Sequence, residues 1–427
     1  MSAAGRLRRI GGAALLAAAL AGAAFLAGCG KAPAAEAADD ASVTMQPLAL
    51  RQTAAQDNRY GRTIMWALSD ERDASVEIRR AGERETRAVQ ASSRFLPGSQ
   101  GEPGRYVYTA ELTDLAPGAD YEYRTRAGKE AGAWHSLRTD DGGAFTALIF
   151  PDTQSADYGV WQNVAEAGRR EAPDASFFIV MGDLVDNGQD ESQWQRWLRG
   201  AEGLYETMPA APLMGNHEAY SLDWQTALPE RYLAHFTLPD NGVDGYRGYF
   251  YSFDWGPVHF TVLNTQMSEL DEWHPDLLEK EKAWLAADLA GTKQPWKVVL
   301  MHKDPLQYRI ASRPERQEGF SPEGEAFMPL FDEAGVDAVL SAHLHTYRDR
   351  GHIYDFRRDP KGPLYILTGV AGDVRYPNLW TDHALDVTVA PQPETDNFMT
   401  LTADASSLTF RAFLPDGTRI DEVTLTR

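Results

Sequence analysis

The sequence predicts an α/β domain preceded by an all-β sandwich. Three observations carry that expectation. Residues 48–139 contain short runs that alternate apolar and polar side chains, separated by turn residues. From Phe145 onward, apolar runs of the kind buried on both faces of a sheet alternate with helical patterns. Five of those runs are followed closely by a carboxylate, amide or imidazole side chain.

The 427 residues suffice for two or three domains. Apolar and charged fractions of 43% and 24% are those of an ordinary globular protein. A net charge of -21 repels polyanions at long range, so a nucleic-acid polymer is not an expected partner. No protein partner can be inferred.

Taken in order, the chain opens on Arg6, Arg8 and Arg9 ahead of an Ala/Gly/Leu-rich run from Ile10 to Ala27, which reads as an export signal over residues 1–28. It closes on Leu26-Ala27-Gly28-Cys29, which resembles the bacterial lipobox, and Cys29 is the only cysteine. That resemblance implies lipidation of Cys29 and a membrane-anchored protein of the cell envelope. No thiol is then left for disulfides, so stability rests on core burial. Residues 29–44, rich in Ala, Pro and Asp, read as a flexible tether.

Residues 45–140 read as the sandwich. Ile64, Trp66 and Leu68 alternate, as do Val76 and Ile78, and Pro117-Gly118 turns between two alternating strands. Residues 144–427 read as the α/β domain. Phe145–Phe150 and Phe177–Met181 are buried strands; 159–171, 189–206, 277–290 and 323–334 carry helical spacing. The end of the chain, Phe398–Thr402, Leu408–Phe413 and Ile420–Leu425, reads as a strand and a closing hairpin.

Asp152, Asp183, Asn216, His302 and His343 each follow one of the buried strands. Sites in open α/β sheets form beyond the carboxyl ends of strands, so five such ends can converge on one crevice. Hard oxygens and imidazoles from separate loops then make a cage for divalent metal ions. Singly, each block is unspecific; Gly215-Asn216-His217-Glu218 and His343-Leu344-His345 are the more distinctive ones. His135, His235, His259, His274, His352 and His383 read as ordinary surface or core histidines.

Together the five blocks resemble those of the calcineurin-like metallophosphoesterases, nearest the purple acid phosphatase branch. His343-Leu-His345-Thr-Tyr347 and Trp296–Lys303 are similar to that branch's last and fourth motifs. Residues 45–140 resemble the fibronectin type III-like domain that precedes its catalytic domain. The resemblance implies a four-layer α/β/β/α domain and two metal ions, whether manganese, iron or zinc. The first ion would be held by Asp152, Gln154, Asp183 and His345, the second by Asp183, Asn216, His302 and His343, with Asp183 bridging. Two carboxylates against two divalent ions leave the site positive enough to attract phosphate. His217 would serve the leaving-group side. The implied activity is hydrolysis of small phosphate monoesters by attack of a metal-bound hydroxide; a phosphodiesterase on nucleotides or lipid head groups and a non-catalytic binding protein are the alternatives.

Two positions depart from the family pattern. Gln154 stands where most of the superfamily has His. Asp186 stands where the purple enzymes have Tyr, which implies no charge-transfer colour. Asp186 reads as a neighbour of the site or a loop cap rather than a ligand.

Overall fold

A computed structural model of the chain describes residues 43–391 and 395–427. The signal segment, Cys29 and the tether as far as Ser42 lie outside the described residues.

The N-terminal part runs β1 (Leu48–Thr53), β2 (Arg62–Leu68), β3 (Ala74–Arg80), β4 (Arg87–Gln90), β5 (Ser92–Leu96), β6 (Arg105–Leu112), β7 (Asp120–Ala127), β8 (Glu130–Ala131) and β9 (His135–Arg138). β3, β4, β7, β8 and β9 form one antiparallel sheet, and β1, β2, β5 and β6 lie in another. The period-2 pattern explains the packing: Val76 and Ile78 are buried while Glu77 and Arg79 are only half-buried. Ile64, Trp66, Tyr108 and Tyr123 join them in a core of the sandwich's own, with Trp66 stacked on Tyr108 at 5.4 Å.

The chain continues through β10 (Phe145–Phe150), α1 (Tyr158–Glu171), β11 (Phe177–Val180), α2 (Glu191–Gly200), α3 (Glu202–Tyr205), β12 (Ala210–Pro212) and α4 (Glu230–His235). Then follow β13 (Tyr251–Trp255), β14 (Val258–Val262), α5 (Met267–Leu270), α6 (Leu277–Gly291), β15 (Trp296–Leu300), β16 (Leu306–Gln307), β17 (Gly319–Phe320), α7 (Pro322–Ala334) and β18 (Ala338–Ser341). The last elements are β19 (Tyr347–Tyr354), β20 (Arg357–Arg358), β21 (Leu364–Thr368), β22 (Thr388–Val389), β23 (Phe398–Ala403), β24 (Ser407–Phe413) and β25 (Arg419–Thr426). The expected helix over 189–206 is divided at Ala201 into α2 and α3; Gly200 there lies against the Trp161 ring, where a Cβ would collide.

β10, β11 and β12 pair in parallel, and β23 closes one side antiparallel to β10. β14, β15, β18 and β21 pair in parallel in a second sheet. The sheets meet through aromatic side chains: Phe177 of β11 lies 4.6 Å from Trp255 and 5.6 Å from Phe260, centroid to centroid. α1 covers the outer face of the first sheet, with Trp161 edge-on to Phe150 at 5.0 Å and stacked on Trp197 of α2 at 5.7 Å. α6 packs on β14, and α7 on α6. The layers are therefore α/β/β/α.

Two features join the sandwich to these layers. β1 pairs in parallel with β12, Thr53 opposite Ala210, so one ten-stranded sheet runs β25-β24-β23-β10-β11-β12-β1-β2-β6-β5. Glu191, buried in the first turn of α2, takes hydrogen bonds from Arg231 Nη1 at 2.8 Å and Gln195 Nε2 at 2.7 Å, and its carboxylate lies 3.2 Å from His235 Nε2. Its own N–H donates to Ser99 Oγ of the sandwich at 2.9 Å. Among the described residues no helix is long and apolar enough to cross a membrane.

Candidate metal centre

β10, β11 and β12 end at Phe150, Val180 and Pro212, and the loops beyond them carry Asp152 with Gln154, Asp183, and Asn216. β15 and β18 end at Leu300 and Ser341 and carry His302, and His343 with His345. The five strand ends thus come from two facing sheets, as the four-layer expectation requires. Facing sheets let ligands approach a shared point from both sides.

Ligand atoms of Asp152, Asp183 and His345 all lie within 4.8 Å of one another. So do those of Asp183, His302 and His343. Asp183 belongs to both groups. Of the two amides named from the sequence, Asn216 Oδ1 is 3.2 Å from His302 Nε2; the Gln154 N–H donates to Asp183 O at 2.8 Å, and its side-chain Oε1 is buried without a hydrogen-bond partner.

Three imidazoles are oriented from behind by backbone carbonyls. His302 Nδ1 lies 2.9 Å from Met181 O, His345 Nδ1 lies 2.8 Å from Val374 O, and His217 Nδ1 lies 2.5 Å from Asp186 O. A carbonyl only accepts, so each Nδ1 carries a proton, and the Nε2 atoms of His302 and His345 face inward. His302 Nε2 is 3.1 Å from Asp183 Oδ2, and His345 Nε2 is 3.4 Å from Asp152 Oδ1. This arrangement presents Nε2 lone pairs to an ion. His343 Nδ1 is buried and unpartnered. Burial, with His302 next, pushes the His343 pKa down to about 3 and keeps it in the neutral form that binds metal. Burial opposes the charge on Asp183, but the imidazoles of His302 and His217 outweigh it and hold the carboxyl well below its ordinary range.

The loops around the site are strained and tight. Asp183, His343 and His345 have φ of 48°, 73° and 53°, in the left-handed region that costs a non-glycine residue free energy. A Cβ on Gly215 would strike the backbone N and carboxylate of Asp183, so only glycine fits there.

The sequence pattern assigns no role to Glu218, which closes the Gly-Asn-His-Glu block. It is fully buried, and its Oε2 accepts from Asp183 N at 3.0 Å and Gly215 N at 2.7 Å. Its Oε1 accepts from Leu184 N at 2.9 Å. Burial and the Asp183 charge push its pKa up to about 7, while these N–H donors favour the ionised form. One side chain thus ties the loop bearing Asp183 to the loop bearing Asn216. Asp186 joins neither donor group among the described residues; its carbonyl orients His217 instead.

Two buried carboxylates, inward-facing imidazole nitrogens and an orphaned amide oxygen form a donor set that fits a pair of divalent ions.

Residues 145–347 match the family model of the calcineurin-like phosphoesterases, and residues 47–139 match that of the purple acid phosphatase N-terminal domain. The chain carries a calcineurin-like metallophosphoesterase domain. Its fold family uses a binuclear metal centre, and the donor set of this phosphoesterase domain has the composition for one. Acid phosphatase type 7 of Mus musculus is 27% identical over 335 residues, which cover 69% of this chain and 72% of that protein. Purple acid phosphatase 15 of Arabidopsis thaliana is 29% identical over 208 residues. That match covers 48% of this chain and only 37% of the Arabidopsis protein's length. Among solved structures, purple acid phosphatase PPD1 from yellow lupin (Lupinus luteus) superposes with a TM-score of 0.75 at 20% identity. It covers 89% of this chain and 74% of its own, which shows a shared fold.

Proposed function

We propose that this protein is an exported, lipid-anchored phosphomonoesterase that hydrolyses small phosphate esters at a binuclear metal site. The observation that carries the reading is the presence of Asp183 in both donor groups. Only a carboxylate has two oxygens to offer two ions. Asp152, Gln154, Asp183 and His345 would hold one ion, and Asp183, Asn216, His302 and His343 the other. When bound, two such ions supply a nucleophilic water at neutral pH and neutralise charge on the phosphoryl oxygens.

The chain's own residues do the rest. Glu218 and Gly215 hold the Asp183 and Asn216 loops together. The His217 N–H donates to Asp183 Oδ1 at 2.8 Å, which fixes the ring beside the shared carboxylate. As an imidazolium, His217 donates Nδ1–H to the Asp186 carbonyl and holds a second proton on Nε2, which the departing oxygen takes as its bond to phosphorus breaks. Water supplies the oxygen that joins phosphorus, so ester and water yield alcohol and phosphate.

Export and anchoring rest on the Arg-rich start, the apolar run and Leu26-Ala27-Gly28-Cys29. The test compares an aryl phosphate with a bis-aryl phosphate, each with and without a chelator. Turnover of the monoester that the chelator abolishes supports the reading; preference for the diester makes the protein a phosphodiesterase. Cys29→Ser should shift the protein from the membrane to the soluble fraction, and an unchanged distribution would remove the lipid anchor.

A further inference from the structure

A turn beside His217 presents aromatic side chains that packing does not account for. The Tyr220 ring stands edge-on to His217 at 5.8 Å, and the Trp224 ring edge-on at 5.9 Å. Tyr220 and Trp224 lie 6.2 Å from each other. Trp224 is 51% exposed and is the only Trp among the exposed large apolar residues described. Its φ of 62° lies in the left-handed region, which a bulky side chain avoids unless the surroundings impose it. The surroundings do impose it. Trp224 N–H donates to Ser221 O at 2.9 Å, Ser221 N–H donates to Gln225 O at 2.8 Å, and Tyr220 bridges Thr226.

A strained and half-exposed indole, held rigidly next to the group that would protonate the leaving oxygen, is a surface waiting for a partner. The chemistry of the turn narrows what that partner is. Residues 217–228 contain no Lys or Arg, and Asp223 adds a negative charge. The turn itself therefore offers a second phosphate or carboxylate on the leaving group no cation. A flat, uncharged ring would find two aromatic faces, and such stacking is tolerant of the ring's exact identity.

We propose that Tyr220 and Trp224 form a leaving-group shelf, and that the preferred substrates are phosphate monoesters whose alcohol carries a planar aromatic ring. This rests on the phosphomonoesterase reading above. The ring has two sources: an aryl group joined directly to the ester oxygen, or the base of a nucleoside monophosphate.

The test measures kcat/KM of the metal-replete full chain for phenyl phosphate, adenosine 5′-monophosphate and glycerol 3-phosphate. Trp224→Ala should lower the phenyl-to-glycerol or the adenosine-to-glycerol selectivity ratio about tenfold, chiefly through KM, given the usual value of a stacked ring. Trp224→Phe should restore most of it. A fall in the first ratio alone identifies an aryl ester, and in the second alone a nucleotide. Both ratios staying within about twofold of wild type would overturn the shelf. Binding of phenylphosphonate against methylphosphonate, by calorimetry, keeps the two ideas apart. If the wild type turns over none of the three esters yet prefers phenylphosphonate, and Trp224→Ala abolishes that preference, the monoesterase reading fails and the shelf stands. No preference for the phenyl ligand in the wild type overturns the shelf directly.

Discussion

The imidazole Nδ1 of His217 lies 2.5 Å from the backbone carbonyl oxygen of Asp186. Two residues that looked unrelated in the sequence are thereby one device. Asp186 joins neither donor group among the described residues, and its main chain fixes a proton on Nδ1 of His217. His217→Ala should lower kcat by about 10²–10⁴-fold while metal content stays at the wild-type level. Steady-state kinetics with elemental analysis checks this; equal loss of metal would make His217 a ligand.

Asp183 is the only residue common to both donor groups. Asp183→Asn keeps the shape and removes the charge and one strong donor. The variant should lose half or more of its bound metal and its turnover. Two retained ions with full activity would refute the bridging role.

Glu218 accepts the N–H groups of Asp183, Leu184 and Gly215 with both carboxylate oxygens. Glu218→Ala leaves those donors buried without acceptors, at a cost of about 1–3 kcal/mol for such a group. The melting temperature of chelator-treated protein should fall, and metal affinity should weaken as the two loops separate. An unaltered melting temperature would show that the loops are held by other means.

His259 predicts a pH dependence. Its Nδ1 is 2.7 Å from Asp254 Oδ1 and its Nε2 is 2.9 Å from Asp288 Oδ2. Both nitrogens face acceptors, so both must donate and the ring is an imidazolium. Burial works against that charge, yet the hydrogen bonds to Asp254 and Asp288 raise the pKa to about 9. Folding therefore strengthens proton binding. The stabilisation is complete below the unfolded value of about 6.5, and it is lost as pH rises through about 9. Melting temperatures of wild type and His259→Gln should converge between those limits. A constant gap would show that the ring is neutral throughout.

The metal-site candidates were legible because each sits directly after its own strand, so local pattern sufficed to place it. Gln154 was legible only as a departure from a family pattern, and its Oε1 is buried without a hydrogen-bond partner. Long-range relations were not legible. Nothing local to Leu48–Thr53 says that it will lie beside Ala210–Pro212. Residues 220–250 carry aromatic side chains throughout, and nothing local separates those that the fold buries from those it exposes. In the fold Tyr246, Tyr249 and Phe250 are buried, with Phe250 4.9 Å from Trp284, while Tyr220 and Trp224 flank His217. In the loop 304–322, Arg309 and Arg313 are exposed, whereas half-buried Arg316 donates to the Tyr308 carbonyl at 2.8 Å.

The parallel pairing of β1 with β12 has a consequence for how the polypeptide can be divided. A truncated chain beginning after residue 140 would leave β12 as a bare margin of unsatisfied N–H and C=O groups, open to any strand in solution. The amino-terminal module is in this sense a cover sewn along a raw hem. Removing it would turn the metallophosphoesterase domain into a template for self-association.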